Sequence, residues 1–179
     1  MIVNKVDLIK NLYTCVMPTE KTRKSVMYDM KIGKKEKEFD IVEEYEIYLV
    51  NDSEYPIEKV EMLVGGFAGE DDGIMETSKN VKDFGRLDSK KALLLETLDF
   101  GMLDFMNWYY LDLHLNNKEC LKIDFSFNGW KVGKDTYQDI PILNRKGSPV
   151  AFDLRTTDII KNVIKDLDMN SKFTKTSND

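Results

Sequence analysis

Histidine occurs once in this 179-residue chain and cysteine twice. No apolar run approaches the roughly 18 residues that a membrane-crossing helix needs. Each shortage excludes something. With His114 as the sole imidazole, a zinc site would have to recruit carboxylates or a distant thiol. Cys15 and Cys120 form no CxxC pair and are too few for a disulfide scaffold in so long a chain. Both therefore read as reduced thiols, with a single Cys15–Cys120 bridge as the alternative. The opening MIVNKVDLIK meets lysine and aspartate too early for a secretory apolar region, so the expected compartment is the cytoplasm.

The glycine run Gly65-Gly66-Phe67-Ala68-Gly69 follows a candidate strand, where phosphate-cradling loops sit, but it lacks the P-loop lysine. Glu70, Asp71 and Asp72 follow it directly and would repel a phosphate. It reads as a connection between sheets. The acids of 70–76 offer oxygens to a hard cation, but their spacing is not that of an EF-hand loop, and a solvated acidic loop is the simpler reading.

What is present describes one globular domain: 42% hydrophobic residues in a chain of this length suffice for a core without staples. Charge is unevenly spread. Residues 1–38 carry nine Lys/Arg against five Asp/Glu, residues 39–130 eight against twenty, and residues 131–179 nine against seven. The acidic middle repels nucleic acid and suits a basic protein partner.

Alternation dominates the middle. Over 39–49, Phe39, Ile41, Tyr45, Ile47 and Leu49 share one parity while Asp40, Glu44 and Glu46 share the other, which predicts a strand with an apolar and an acidic face. Asn51, Asp52 and Ser53 stop it through turn-forming side chains, and 57–64 reads as the next strand across a hairpin or a sandwich corner. Further strands are predicted near 24–32, 81–84, 93–98 and 108–115, the last with Tyr109, Leu111, Leu113 and Leu115 inward. Leu121, Ile123, Phe125 and Phe127 point inward from another. Asn128-Gly129 suits a hairpin turn, with Trp130 and Val132 opening a short return strand. Phe100, Leu103 and Met106 repeat every three residues, as in one helical turn or a packed loop.

Helical spacing over 4–16, with Asn4 as cap, predicts an N-terminal helix, and the stripe Ile159, Ile160, Val163, Ile164, Leu167 predicts an amphipathic C-terminal helix over 157–169. The expected architecture is mainly β: one domain over 1–170, an antiparallel β-sandwich over about 24–150 between those helices, and a polar tail at 171–179. In strand spacing, residues 24–132 resemble immunoglobulin-like modules, without the Cys…Trp…Cys signature.

Three functions are in view. The first is a non-enzymatic, inhibitor- or immunity-type binder that docks a basic protein on an outward row of Glu44, Glu46, Tyr48, Tyr110, Asp112 and His114, provided the two strands share a sheet. The second is a small-ligand or carbohydrate module that stacks its ligand on Trp108 or Trp130. The third, least favoured, is a metal-dependent enzyme built on His114, with Asp112 orienting the ring, or on the loop 70–76. The binder needs no cofactor, nucleic acid or membrane.

Overall fold

The computed structural model describes residues 3–28, 35–64, 67–70, 73–76, 80–116 and 118–155. The predicted C-terminal helix at 157–169 and the tail lie outside them. One short helix, α1 (Lys5–Lys10), leads into strands β1 (Leu12–Pro18), β2 (Thr22–Tyr28), β3 (Lys35–Val42), β4 (Glu44–Asn51) and β5 (Ile57–Val64). Next come β6 (Phe67–Glu70), β7 (Gly73–Glu76), β8 (Asn80–Leu87) and β9 (Lys91–Asp99). After a 3-10 turn at Phe100–Asp104, the chain continues through β10 (Asn107–Asn116), β11 (Glu119–Phe127), β12 (Gln138–Ile140), β13 (Arg145–Val150) and β14 (Phe152–Leu154).

The strands form two antiparallel five-stranded sheets, ordered β12-β13-β1-β4-β9 and β14-β11-β10-β5-β8. Their apolar rows meet in one core. Tyr45, Ile47 and Leu49 from the first sheet join Leu111, Leu113, Ile123 and Phe127 from the second, all buried. Mainly β, antiparallel and sandwich-like is thus the architecture that the alternating rows predict.

The N-terminal helix is shorter than its spacing suggests. Asn4 caps it, accepting from the Asp7 backbone N–H at 3.3 Å. Asn11 closes it, its side-chain amide donating to the Asp7 carbonyl at 2.8 Å. Leu12–Pro18 is then a strand, paired with β4 on one side and β13 on the other. Leu12 and Val16 enter the main core, while Cys15 and Met17 enter a smaller one on the other face. A strand covered on both faces loses its polar alternation, and its apolar run then mimics helical spacing. On β13, Gly147 keeps this sheet close, since a Cβ there would come within 2.8 Å of the Met17 side chain and 2.9 Å of the Val16 carbonyl.

The strand expected over 39–49 is two strands broken at Glu43. β3 pairs only with β2 as a separate ribbon, whereas β4 lies inside the first sheet. Between β4 and β5 the chain makes a sandwich corner and changes sheets. Buried Asn51 builds that corner: it accepts from the Ser53 N–H and hydroxyl and donates to the carbonyls of Tyr55 and Asp88. Two further expectations are corrected. Phe67–Glu70 and Gly73–Glu76, expected as loop, pair with each other as strands β6 and β7, and Trp130 lies in a turn where a return strand was predicted.

The ladders set the two ends apart. The first pole carries α1, the 51–57 corner and the Asp88–Lys90 turn. The ends of β1, β5, β9 and β11 and the starts of β4, β8, β10 and β13 lie at the opposite pole, where the β2–β3 ribbon and the β6–β7 hairpin also spring from the sheets.

Candidate functional site

The outward row chosen from the sequence divides in two. Glu44, Glu46 and Tyr48 lie on β4 and Tyr110, Asp112 and His114 on β10, and these strands belong to different sheets. Because the alternate residues of both strands fill the shared core, the two halves face away from each other. One acidic, tyrosine-bearing face does not form.

Each half is also charge-compensated. Lys21 pairs with Glu44, and Arg145 holds Glu46 at 2.6 Å while donating to the Pro18 carbonyl at 2.8 Å. The Tyr48 hydroxyl donates to Glu46 at 3.3 Å, and its ring packs against the smaller cluster of Cys15, Met17, Val50 and Ile140. On the second sheet, Asp112 meets Lys122 at 3.2 Å and Arg155 at 3.4 Å, and the Arg155 guanidinium lies 4.8 Å from the centre of the Tyr110 ring. These partners come from remote parts of the chain, so a strand-by-strand reading counts the acids without their counter-charges.

His114 finds a different carboxylate from the one expected. Its Nε2 lies 2.7 Å from Glu61 Oε2 on β5, and Glu61 also binds Lys59, which reaches Asp83 at 3.1 Å. Hydrogen bonds from Lys59 first, then from His114, hold the Glu61 carboxyl below its ordinary range. Cys120 lies opposite His114 in the ladder, but desolvation first and then the charge of Asp112 push its thiol up, favouring the protonated, unreactive form. Cys15 and Cys120 are both free, and burial pushes Cys15 up to about 12. Among the described residues, no three His, Cys, Asp or Glu side chains group to hold a metal ion. The side chains of 70–76 lie outside that description.

The unusual surface lies at the pole of the hairpins. Phe100, Met102, Phe105, Met106, Trp108 and Trp130 are all exposed there, Phe105 by 64% and Trp130 by 95%. Large apolar side chains exposed together at one end of a domain suit a contact site, whereas isolated exposed residues mean little. The loop that carries them is well held. Phe100 N–H donates to the Glu43 carbonyl at 2.7 Å, and Leu103 turns inward and is buried. Asn107 donates to the carbonyls of Met102 and Phe105 at 2.9 and 3.1 Å. Gly129 N–H donates to the Leu103 carbonyl at 2.7 Å, which latches the Trp130 turn onto the loop. A Cβ at Gly129 would lie 3.2 Å from that oxygen, a tight contact to which the loop would have to yield by a few tenths of an ångström.

Acids rim this surface. Glu43 and Asp99 flank Phe100, and Asp104 ends its turn. Lys21, raised by its bond to Glu44, also feels Glu43 and Asp99, and Lys131 follows Trp130. Trp108 and Trp130, singled out as stacking platforms, are therefore brought to one pole. Of the other members, Phe100 and Met106 belong to the three-residue repeat expected as one helical turn or a packed loop, and Met102 and Phe105 carried no assignment from sequence. No protein-family model matches the chain, and no curated protein matches it in sequence.

Proposed function

We propose that this protein is a non-enzymatic binding module that takes a basic protein partner at the hairpin pole. The observation behind this reading is the gathering of Phe100, Met102, Phe105, Met106, Trp108 and Trp130 inside an acidic rim. Aromatic and methionine side chains anchor interfaces once desolvated, and rim charges of one sign speed capture of a partner of the other. The immunoglobulin-like strand spacing of 24–132 belongs with this reading, since sandwich modules of that class present recognition loops at one end. The acidic row proposed from sequence contributes only Glu44 here, beside Glu43 at the rim. Residence in the cytoplasm is part of the proposal.

The test is affinity capture from lysate with the native chain and with Phe105→Ser/Trp130→Ser, at low and high salt. A partner retained by the native chain, weakened by salt and lost with the double variant supports the reading. Equal capture by both proteins, or none by either, sinks it.

A second reading rests on the exposure of Trp108 and Trp130: both rings are free to stack on a sugar or a nucleobase. Blue-shifted tryptophan emission with such a ligand, abolished by Trp130→Ser, would favour it.

A further inference from the structure

We infer that the element received at the hairpin pole is a basic amphipathic helix, an inference that rests on the binding function proposed above. Three observations lead there. The first concerns backbone. A partner strand is recognised through unpaired N–H and C=O groups, and here the loop's carbonyls at Met102, Leu103 and Phe105 and the Glu43 carbonyl beside it already accept hydrogen bonds. With these four carbonyls engaged, the loop's exposed side chains are its main offer to a partner. An element whose own backbone is internally satisfied suits such a surface, and a helix is that element.

The second concerns side-chain type. Met102 and Met106 alternate with Phe100, Phe105 and Trp108 along the exposed loop. Unbranched, polarizable thioethers adapt to irregular apolar ridges, and aromatic rings supply area at small entropy cost. Together they fit the apolar stripe of a helix, whose anchors recur every three or four residues. The third concerns charge. Glu43, Asp99 and Asp104 lie beside the loop; of the cations near them, Lys21 is held by Glu44 and Lys24 of β2 by Asp40, which leaves Arg23 of β2 and Lys131 against the three acids. Lysines or arginines flanking the partner's stripe complete the match. A second copy of this chain is a poor occupant, because molecules of net charge −6 would bring like-charged rims together.

The test uses the full chain and a peptide of about 18 residues, long enough to hold a helix, with leucines on one face and lysines on the other. Its controls are the same composition scrambled and a leucine–glutamate counterpart. Both tryptophans, Trp108 and Trp130, lie at this pole and report binding directly. The expected result is blue-shifted emission and a gain of peptide helicity with the leucine–lysine helix alone. Phe105→Ser/Met106→Ser should weaken binding by about tenfold or more, and Asp99→Lys/Asp104→Lys should do the same with a loss of salt dependence. Equal binding of the scrambled peptide, or none of the three binding, overturns the inference. If Phe105→Ser/Trp130→Ser still abolishes capture of a cellular partner in that case, the binding function stands and only the helix falls. Binding of the pole to phosphatidylserine vesicles in preference to the peptide would overturn both.

Discussion

Tyr109 on β10 donates its hydroxyl proton to Glu96 on β9 across 2.8 Å, tying the second sheet to the first just behind the exposed loop. The ring is held parallel to Phe125 and Phe127, with centroids 4.9 and 5.8 Å away. Burial, then the bond and charge of Glu96, push the phenol well above its ordinary range. The bond is therefore between a neutral phenol and a carboxylate, the charge-assisted kind that exceeds a neutral pair in strength. Tyr109→Phe keeps the stacking and deletes the bond. It should destabilise the protein by about 1.5–3 kcal/mol in a urea melt, the loss expected when a hydrogen bond to a charged group is removed. An unchanged midpoint would show that the cross-sheet bond contributes nothing.

How much of this was legible from sequence depends on what covers each face. β10 and β11 each have one buried and one solvated face, so Tyr109, Leu111, Leu113 and Phe125 could be assigned inward by parity alone. β1 is buried on both faces, and its residues 12–16 read from sequence as the end of the preceding helix. The break at Glu43 was hidden because the apolar parity of Phe39 and Ile41 runs on through Tyr45 and Ile47. At the site, Trp108 and Trp130 stood out by type. Phe100 and Met106 did not, since the three-residue apolar repeat they form with Leu103 is more often packed than exposed. Only Leu103 of that run is buried.

The two thiols should separate cleanly by reactivity. Cys15 is buried with its pKa pushed up to about 12, whereas Cys120 is accessible. Alkylation of the native protein followed by mass spectrometry should give one label, at Cys120, with Cys15 reacting only after denaturation. Labelling there should be slow at neutral pH, since Cys120 too is shifted upward. Rapid labelling of Cys15 in the native state would contradict its place between Met17, Val50 and Ile140.

Acid should unfold the protein in part through the Lys59 network. Hydrogen bonds lower the carboxyls of Glu61 and Asp83 in the folded state from ordinary values of 4.5 and 3.8, chiefly from Lys59 to Glu61 and from the Gly85 N–H to Asp83. Depressed folded-state values mean that their contribution is present in full above the ordinary carboxylate range. It is lost as pH falls from there through the lowered values. The urea midpoint should decline over that acid window, and Glu61→Gln should make the decline shallower. Asp83 is open to solvent while Glu61 is about three-quarters covered, so the effect rests mainly on Glu61. An identical acid profile for the variant would remove Glu61 from the account.

Charge reversal distinguishes an acid that holds the fold from an acid that faces a partner. Glu46 accepts from Arg145 at 2.6 Å and from Tyr48 at 3.3 Å, and Arg145 also binds the Pro18 carbonyl, joining β4, β13 and the end of β1. Glu46→Lys sets two cations together and frees the tyrosine hydroxyl. It should cost about 1–2 kcal/mol, above the usual range for surface pairs because Glu46 is three-quarters covered. Among the described residues Asp104 has no such ties, and Asp104→Lys should leave stability within the small scatter of surface substitutions, about 0.5 kcal/mol. Partner capture should show the opposite order, with Asp104→Lys weakening it at low salt and Glu46→Lys affecting it only as far as it unfolds the protein. Strong loss of capture from Glu46→Lys at a temperature where the variant is fully folded would return the contact surface to the β4 face.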